Sequence, residues 1–118
     1  MTFPRQGEVF AVVLPGRAGD KPRRPAVVMS PDYRNEFAND VLVIPLTTTL
    51  RAMPTHVAMP AGAGGLAKPS MAKAEQITAL PKSFLLRGPL GGRIPIGKLR
   101  ELQRAVWLAI GGEDIDQE

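Results

Sequence analysis

A chain of 118 residues fits one domain with one modest core and excludes a multidomain enzyme. It contains no cysteine, which excludes a disulfide framework and thiolate metal sites and fits a reducing cytoplasm. The formal charge is +4, but Glu113, Asp114, Asp116 and Glu118 place four acids in the last six positions; taking these from eleven leaves seven acids against 15 bases, +8, in residues 1–112.

A basic body of this size suits a polyanion such as nucleic acid, because phosphate neutralisation is the sequence-independent part of that binding. A surface kept basic for solubility is the alternative. No apolar run approaches the ~20 residues of a spanning helix, and Met1-Thr2-Phe3-Pro4-Arg5 lacks the apolar centre of a signal peptide. The expectation is a soluble, cytoplasmic domain over residues 1–112, with no membrane contact. Residues 113–118 read as an acidic, disordered tail.

After the turn at Gln6-Gly7, residues 8–14 read as a first strand. Residues 15–23 form a loop with two prolines and two glycines; its Arg17, Lys21 and Arg23 make it a candidate lid or substrate grip. Arg24 to Met29 is a second strand, ending at Ser30-Pro31. Residues 32–39 hold at most a helical turn. Asp40 to Leu46 is a third strand, leading into Thr47-Thr48-Thr49.

Pro54 breaks the chain before Thr55-His56-Val57-Ala58-Met59, an alternating edge strand. Residues 61–65, all Ala and Gly, read as flexible with little to pack. Ser70 to Thr78 alternates small and polar residues as one half-exposed strand, with Lys73, Glu75 and Ile77 on one face and Ala74, Gln76 and Thr78 on the other. Residues 81–85 suggest a short turn and Gly88 to Ile94 a last brief strand. From Pro95 the period changes: Leu99, Leu102, Val106, Trp107 and Ile110 recur at helical spacing, and Gly111-Gly112 ends the helix. Five or six short strands and one amphipathic helix make a small barrel closed by that helix.

Two polar groups sit where apolar packing does not explain them. Arg24 opens the second strand and Thr47 closes the third. If those strands are neighbours, a cation and a hydroxyl converge at one rim, a place to hold a phosphate. The rival readings are ordinary: Arg24 snorkelling at a strand edge, Thr47 capping a turn as Thr48 and Thr49 do, and Lys73 with Glu75 as an ion pair on a solvated strand. The sole histidine, His56, faces no evident partner and reads as structural or solvent-facing. Trp107 reads as core or dimer packing. Tyr33, Phe37 and Phe10 are the aromatics available for base stacking.

In order along the chain stand Arg5-Gln6-Gly7-Glu8-Val9-Phe10, Arg24-Pro25-Ala26-Val27-Val28, Pro45-Leu46-Thr47-Thr48-Thr49, Pro54-Thr55-His56-Val57, Ser70 and Glu75-Gln76-Ile77, then the amphipathic helix. This succession resembles the MazF/PemK family of toxins over about residues 4–112. The resemblance implies a small SH3-like antiparallel β-barrel of the CcdB/PemK type, with short helical turns and one C-terminal α-helix. It implies the toxin of a type II toxin–antitoxin pair: a homodimer that cuts single-stranded RNA at a short motif without metal or cofactor. A MazE-like antitoxin would neutralise it, its disordered tail folding over the RNA groove.

By position, the resemblance puts Arg24 on the family's catalytic arginine, Thr47 on its active-site threonine, and Gln76 on a polar position of the RNA groove. Thr78 stands where many members carry an arginine. Lys73 and Glu75 stand where the PemK branch has an arginine and an aspartate as acid and base, and that branch's loop histidine has no counterpart between Pro15 and Arg24. Cleavage without metal uses the 2′-hydroxyl as nucleophile and leaves a 2′,3′-cyclic phosphate and a 5′-hydroxyl. It needs a base, an acid and positive charge on the phosphate. Arg24 supplies charge and paired donors, Thr47 a hydrogen bond, Glu75 the base, and Lys73 the acid or a supporting cation. Arg17, Lys21, Arg23, Thr48, Gln76 and Thr78 are the expected RNA contacts. The metal site expected is none. Within the same fold class a gyrase-poisoning, CcdB-like toxin and an inactive nucleic-acid-binding barrel remain open.

Overall fold

The computed structural model describes residues 2–14 and 23–112. Runs of Val, Ile and Leu bounded by turn formers become the strands. These are β1 (Val9–Val12), β2 (Arg24–Val28), β3 (Asp40–Thr47), β4 (His56–Met59), β5 (Ser70–Lys73), β6 (Thr78–Pro81) and β7 (Leu85–Arg87). A single turn of helix, α1 (Asp32–Asn35), precedes β3, and α2 (Ile96–Ala109) follows the strands. The pairing is antiparallel throughout and runs β4-β5-β3-β2-β1-β7, with β6 also on β3. The ladder ends at β4 and β7, so the barrel is open. No helix among the described residues is long and apolar enough to cross a membrane.

Period-two alternation in the central strands gives the sheet two apolar faces. Val9, Val27, Ile44 and Leu46 point to the larger core, where Leu99, Leu102 and Ala105 of α2 cover them. Phe10, Val12, Ala26, Val28, Val41 and Val43 point to a smaller core on the other side, closed by Leu80 of β6. Of the two roles expected for Trp107, core or dimer packing, the first is not met within this chain: it is 49% exposed. At ~100° per residue it lies about 200° around the helix from Ala105, well off the covered face.

Strand β3 is shared among three partners. Residues 40–43 pair with β6, residues 43–45 with β2 and residues 46–47 with β5. Pro45, with no N–H to donate, stands next to the point where β3 passes to β5.

The expected single strand from Ser70 to Thr78 is interrupted. Leu46 faces Ala72 and Val43 faces Thr78, so β3 moves three residues while the opposing chain moves six, leaving three residues over. These are Ala74–Gln76, folded into a 3-10 turn. The turn forms because the Ala74 side chain is fully buried in the larger core while its N–H donates to the Thr55 carbonyl at 2.9 Å. The two-face assignment for residues 73–78 is corrected accordingly: even-numbered Ala72 belongs to the larger core and even-numbered Leu80 to the smaller one.

Two further expectations are corrected. The segment 61–65 is packed rather than loose: Ala63–Gly65 is a 3-10 turn with Ala63 and Gly64 buried. A Cβ on Gly64 would lie 2.5 Å from a Val9 methyl, so smallness here serves close approach. Gly88 to Ile94 is not a strand; β7 precedes it, and a single bridge from Arg93 to Glu8 is what remains. Gly88 lies against the Phe10 ring, where a Cβ would come within 2.4 Å, and Pro89 can donate nothing to a ladder.

Candidate nucleic-acid site

The β2–β3 register continues from Ala26 opposite Pro45, which sets Arg24 across from Thr47. Both continue the face of the smaller core: Val28, Ala26, Arg24 along β2 and Val41, Val43, Pro45, Thr47 along β3. At the strand ends the apolar stripe gives way to a guanidinium and a hydroxyl, and the sheet rim becomes polar there. The half-buried Arg24 and Thr47 are a shared wall of two cavities.

The inner cavity, about 20 Å³, is lined by Arg24, Thr47, Lys73 and Gln76 together with Leu14 and Pro45. It has room for about one water-sized group. The outer one, about 360 Å³, is lined by Arg23, Thr48, Thr49 and Ser70 as well as Arg24 and Thr47. That is within the range of small-ligand pockets. Among the described residues the two linings contain three cations (Arg23, Arg24 and Lys73) and no carboxylate. A larger cavity of about 450 Å³ lies elsewhere, under Phe3 and Pro4, and has a carboxylate, Glu8, in its wall.

The interrupted strand explains how Lys73 and Gln76 reach one cavity. They flank the extra turn, Lys73 as the last residue of β5 and Gln76 as the last of the turn. The Thr47 hydroxyl oxygen accepts the Thr49 N–H at 3.2 Å. This is the turn-capping bond that the ordinary reading of Thr47 expected, and it leaves the Thr47 hydroxyl hydrogen available to a ligand.

Glu75 lies elsewhere. Its Oε1 accepts the Thr55 hydroxyl at 2.8 Å and its Oε2 lies 2.9 Å from His56 Nε2. Burial pushes this carboxyl up, but hydrogen bonds from His56, Thr55 and its own backbone amide, with the His56 charge, outweigh that and hold it below the usual carboxylate range. His56 therefore has a partner, contrary to the sequence reading, nineteen residues away. Its side chain is 3% exposed. Thr78 is on β6 opposite Val43, along β3 from Thr47. Arg17 and Lys21 lie outside the described residues. Tyr33 and Phe37 are exposed on and just after α1, beyond the opposite ends of β2 and β3.

Sequence reasoning missed Thr49 and Ser70 in the outer wall and the Thr55–His56–Glu75 group behind the inner one. The sole histidine in the chain was the signal that could have found the latter. Among the described residues no three His, Asp or Glu side chains come together as a metal-binding group.

An open antiparallel β-barrel with one covering helix and a cationic, hydroxyl-bearing rim defines the class: a small barrel fold with an anion-facing end. The sequence model described as PemK-like, MazF-like toxin of type II toxin–antitoxin system matches residues 5–110, and the chain belongs to that family. No curated protein sequence matches it at a significant level. Among solved structures, an endoribonuclease from a mycobacterial species, in complex with its cognate antitoxin, is 27% identical. Their superposition has a TM-score of 0.76 and covers 92% of this chain and 95% of that one. MazF from Deinococcus radiodurans is 23% identical with a TM-score of 0.78, covering 94% and 99%. The Mycobacterium tuberculosis toxin MazF-mt6 is 22% identical with a TM-score of 0.74, covering 88% and 96%. The last two are likenesses of fold.

Proposed function

We propose that the chain is the toxin of a type II pair and an endoribonuclease that cuts single-stranded RNA at a short motif by attack of the 2′-hydroxyl. The observation that carries the reading is the shared wall of Arg24 and Thr47 between two cavities whose linings, among the described residues, hold three cations and no carboxylate. Such a wall attracts a phosphodiester and stabilises it most when phosphorus becomes pentavalent and gains charge.

In the proposed reaction the 2′-oxygen gives its proton to water and bonds to phosphorus, the P–O5′ bond breaks, and the 5′-oxygen takes a proton from Lys73, which regains one from water. Protons balance overall. The products are a 2′,3′-cyclic phosphate and a 5′-hydroxyl. Arg24 offers paired N–H donors to two phosphate oxygens, and Thr47 donates its hydroxyl hydrogen to the same group. Lys73, as an ammonium, protonates the departing 5′-oxygen. Gln76, Arg23 and Thr48 contact the flanking nucleotides. Glu75 has both carboxylate oxygens engaged and in this reading holds the site in shape rather than taking the proton.

The 27%-identical mycobacterial endoribonuclease, solved with its cognate antitoxin, supports both the RNA substrate and a small antitoxin partner for this chain. A homodimer completes the reading: sedimentation should give twice the 12.7 kDa chain mass, and a monomer at micromolar concentration would contradict it. The decisive experiment incubates purified protein with a long single-stranded RNA in excess EDTA and maps the product ends. Cuts at a recurring short motif with 5′-hydroxyl termini, absent with Arg24→Ala, are expected. Intact RNA from a folded protein overturns the reading.

A further inference from the structure

We propose that His56, held as an imidazolium between the Arg51 carbonyl and the Glu75 carboxylate, is a positioning residue that fastens the two walls of the RNA site to each other. The proposal rests on the nuclease reading above and adds a group to it that does not touch the phosphate.

The protonation state follows from what each ring nitrogen faces. Nδ1 lies 2.9 Å from the Arg51 carbonyl oxygen, which can only accept, so Nδ1 carries a hydrogen. Nε2 lies 2.9 Å from Glu75 Oε2. A neutral ring with its hydrogen on Nδ1 would point a lone pair at that oxygen. Glu75 meanwhile accepts the Thr55 hydroxyl on its other oxygen, as an ionised carboxylate does. Both contacts are satisfied together when both ring nitrogens carry hydrogens. With the His56 side chain 3% exposed, water does not substitute for either partner.

The bonds join the two segments that flank the cavities. Residues 48–55 lead away from Thr47 and carry Thr48 and Thr49 of the outer wall; the turn Ala74–Gln76 carries Gln76 and follows Lys73 of the inner wall. Glu75 ties the turn to His56 and Thr55, the Ala74 N–H donates to the Thr55 carbonyl at 2.9 Å, and His56 holds the segment through Arg51. The clasp adds polar ties to the apolar packing of Ala74 in the larger core.

The charges around the ring are few. Lys73 is directly opposite His56 on the β4–β5 ladder, and the carboxylate of Glu75 is paired with the ring. Helix α2 meets β4 and the turn through Leu99, Leu102 and Ala105; its Lys98 and Glu101 are paired with each other at 3.1 Å and its Arg104 is on the exposed side. The Arg51 side chain is exposed. Lowering the pH far enough to protonate Glu75 weakens the tie to the ring.

The sole histidine gives one set of ring signals, so the test uses protein labelled with 15N-histidine beside an RNA-cleavage assay. At the pH of maximal cleavage both ring nitrogens of the wild-type protein should be protonated. In E75Q, whose amide can donate to Nε2, only Nδ1 should be. E75Q, whose amide keeps the tie to the ring, should still cut RNA. H56Q, whose single amide cannot reach both partners, should lose about tenfold to a hundredfold in kcat with KM little changed. Thermal melting checks that each variant is folded.

A singly protonated ring at full wild-type activity overturns the proposal. So does an inactive E75Q, which would return Glu75 to the role of base. A folded wild-type protein that cuts no RNA fails the nuclease reading and the positioning role together, whereas cleavage by H56Q at the wild-type rate fails the positioning role alone.

Discussion

The two ends of the β2–β3 pair are built on different principles. At the end near α1 the polar groups are matched: Arg34 pairs with Asp40 at 2.7 Å and Arg5 and Arg93 pair with Asp32, around a neutral, buried centre. Asn35 is fully buried and donates to the carbonyls of Ser30 at 2.8 Å and Pro4 at 3.0 Å, while Ser30 Oγ accepts the Leu42 N–H at 3.0 Å. At the other end Arg23, Arg24 and Lys73 gather around two cavities with no carboxylate among the described residues of the linings. Like charges held together oppose compaction, so that arrangement costs stability. The closed end holds the strands in register, and the open end uses that register to place charge.

The largest separation should come from Arg24→Ala. Loss of the guanidinium should lower cleavage by at least ~10²–10³-fold, with the melting temperature nearly unchanged. Asn35→Ala should do the reverse, costing about 2–3 kcal/mol in denaturant unfolding by leaving buried backbone oxygens unmatched, while cleavage per folded molecule stays at the wild-type rate. Loss of cleavage in that variant without loss of stability would break the comparison. Thr47→Val keeps shape and removes one donor to a charged group; kcat should drop by about tenfold or somewhat more.

The smallest effect concerns acid stability. The Glu75 carboxyl is held below its usual range in the folded protein, so its stabilisation is complete above the unfolded value and is lost as pH falls through the folded one. Melting curves of wild type and E75Q should therefore differ near neutrality and converge in acid. With Glu75 40% exposed, solvent screening keeps the difference small.

The rim pair was legible because consecutive antiparallel strands place the first residue of one beside the last of the next, and period two fixes the face. Arg24 and Thr47 needed nothing more. The helix from residue 96 was equally open to reading, since Leu99 and Leu102 recur at its period. What could not be read depended on contacts distant in sequence. The alternation of Ser70 to Thr78 is that of a strand, and only the pairing of both its halves with β3 shows three residues to spare. The contact of His56 with Glu75 follows from that turn, so it was invisible for the same reason. In residues 61–65 composition pointed to slack, whereas the fold uses those small residues to let chains approach.

The extra turn has a consequence for which insertions and deletions this family member can accept. Leu46 and Val41 face opposite cores on β3, and Ala72 and Leu80 take their facing from these partners. The 3-10 turn breaks the alternation between them, so residues can be added to or removed from Ala74–Gln76 while Leu80 keeps its core, as long as both halves keep their places on β3. The sheet thus fixes what lies on either side of this turn and leaves the length of the segment beside the inner cavity open to change as substrates change.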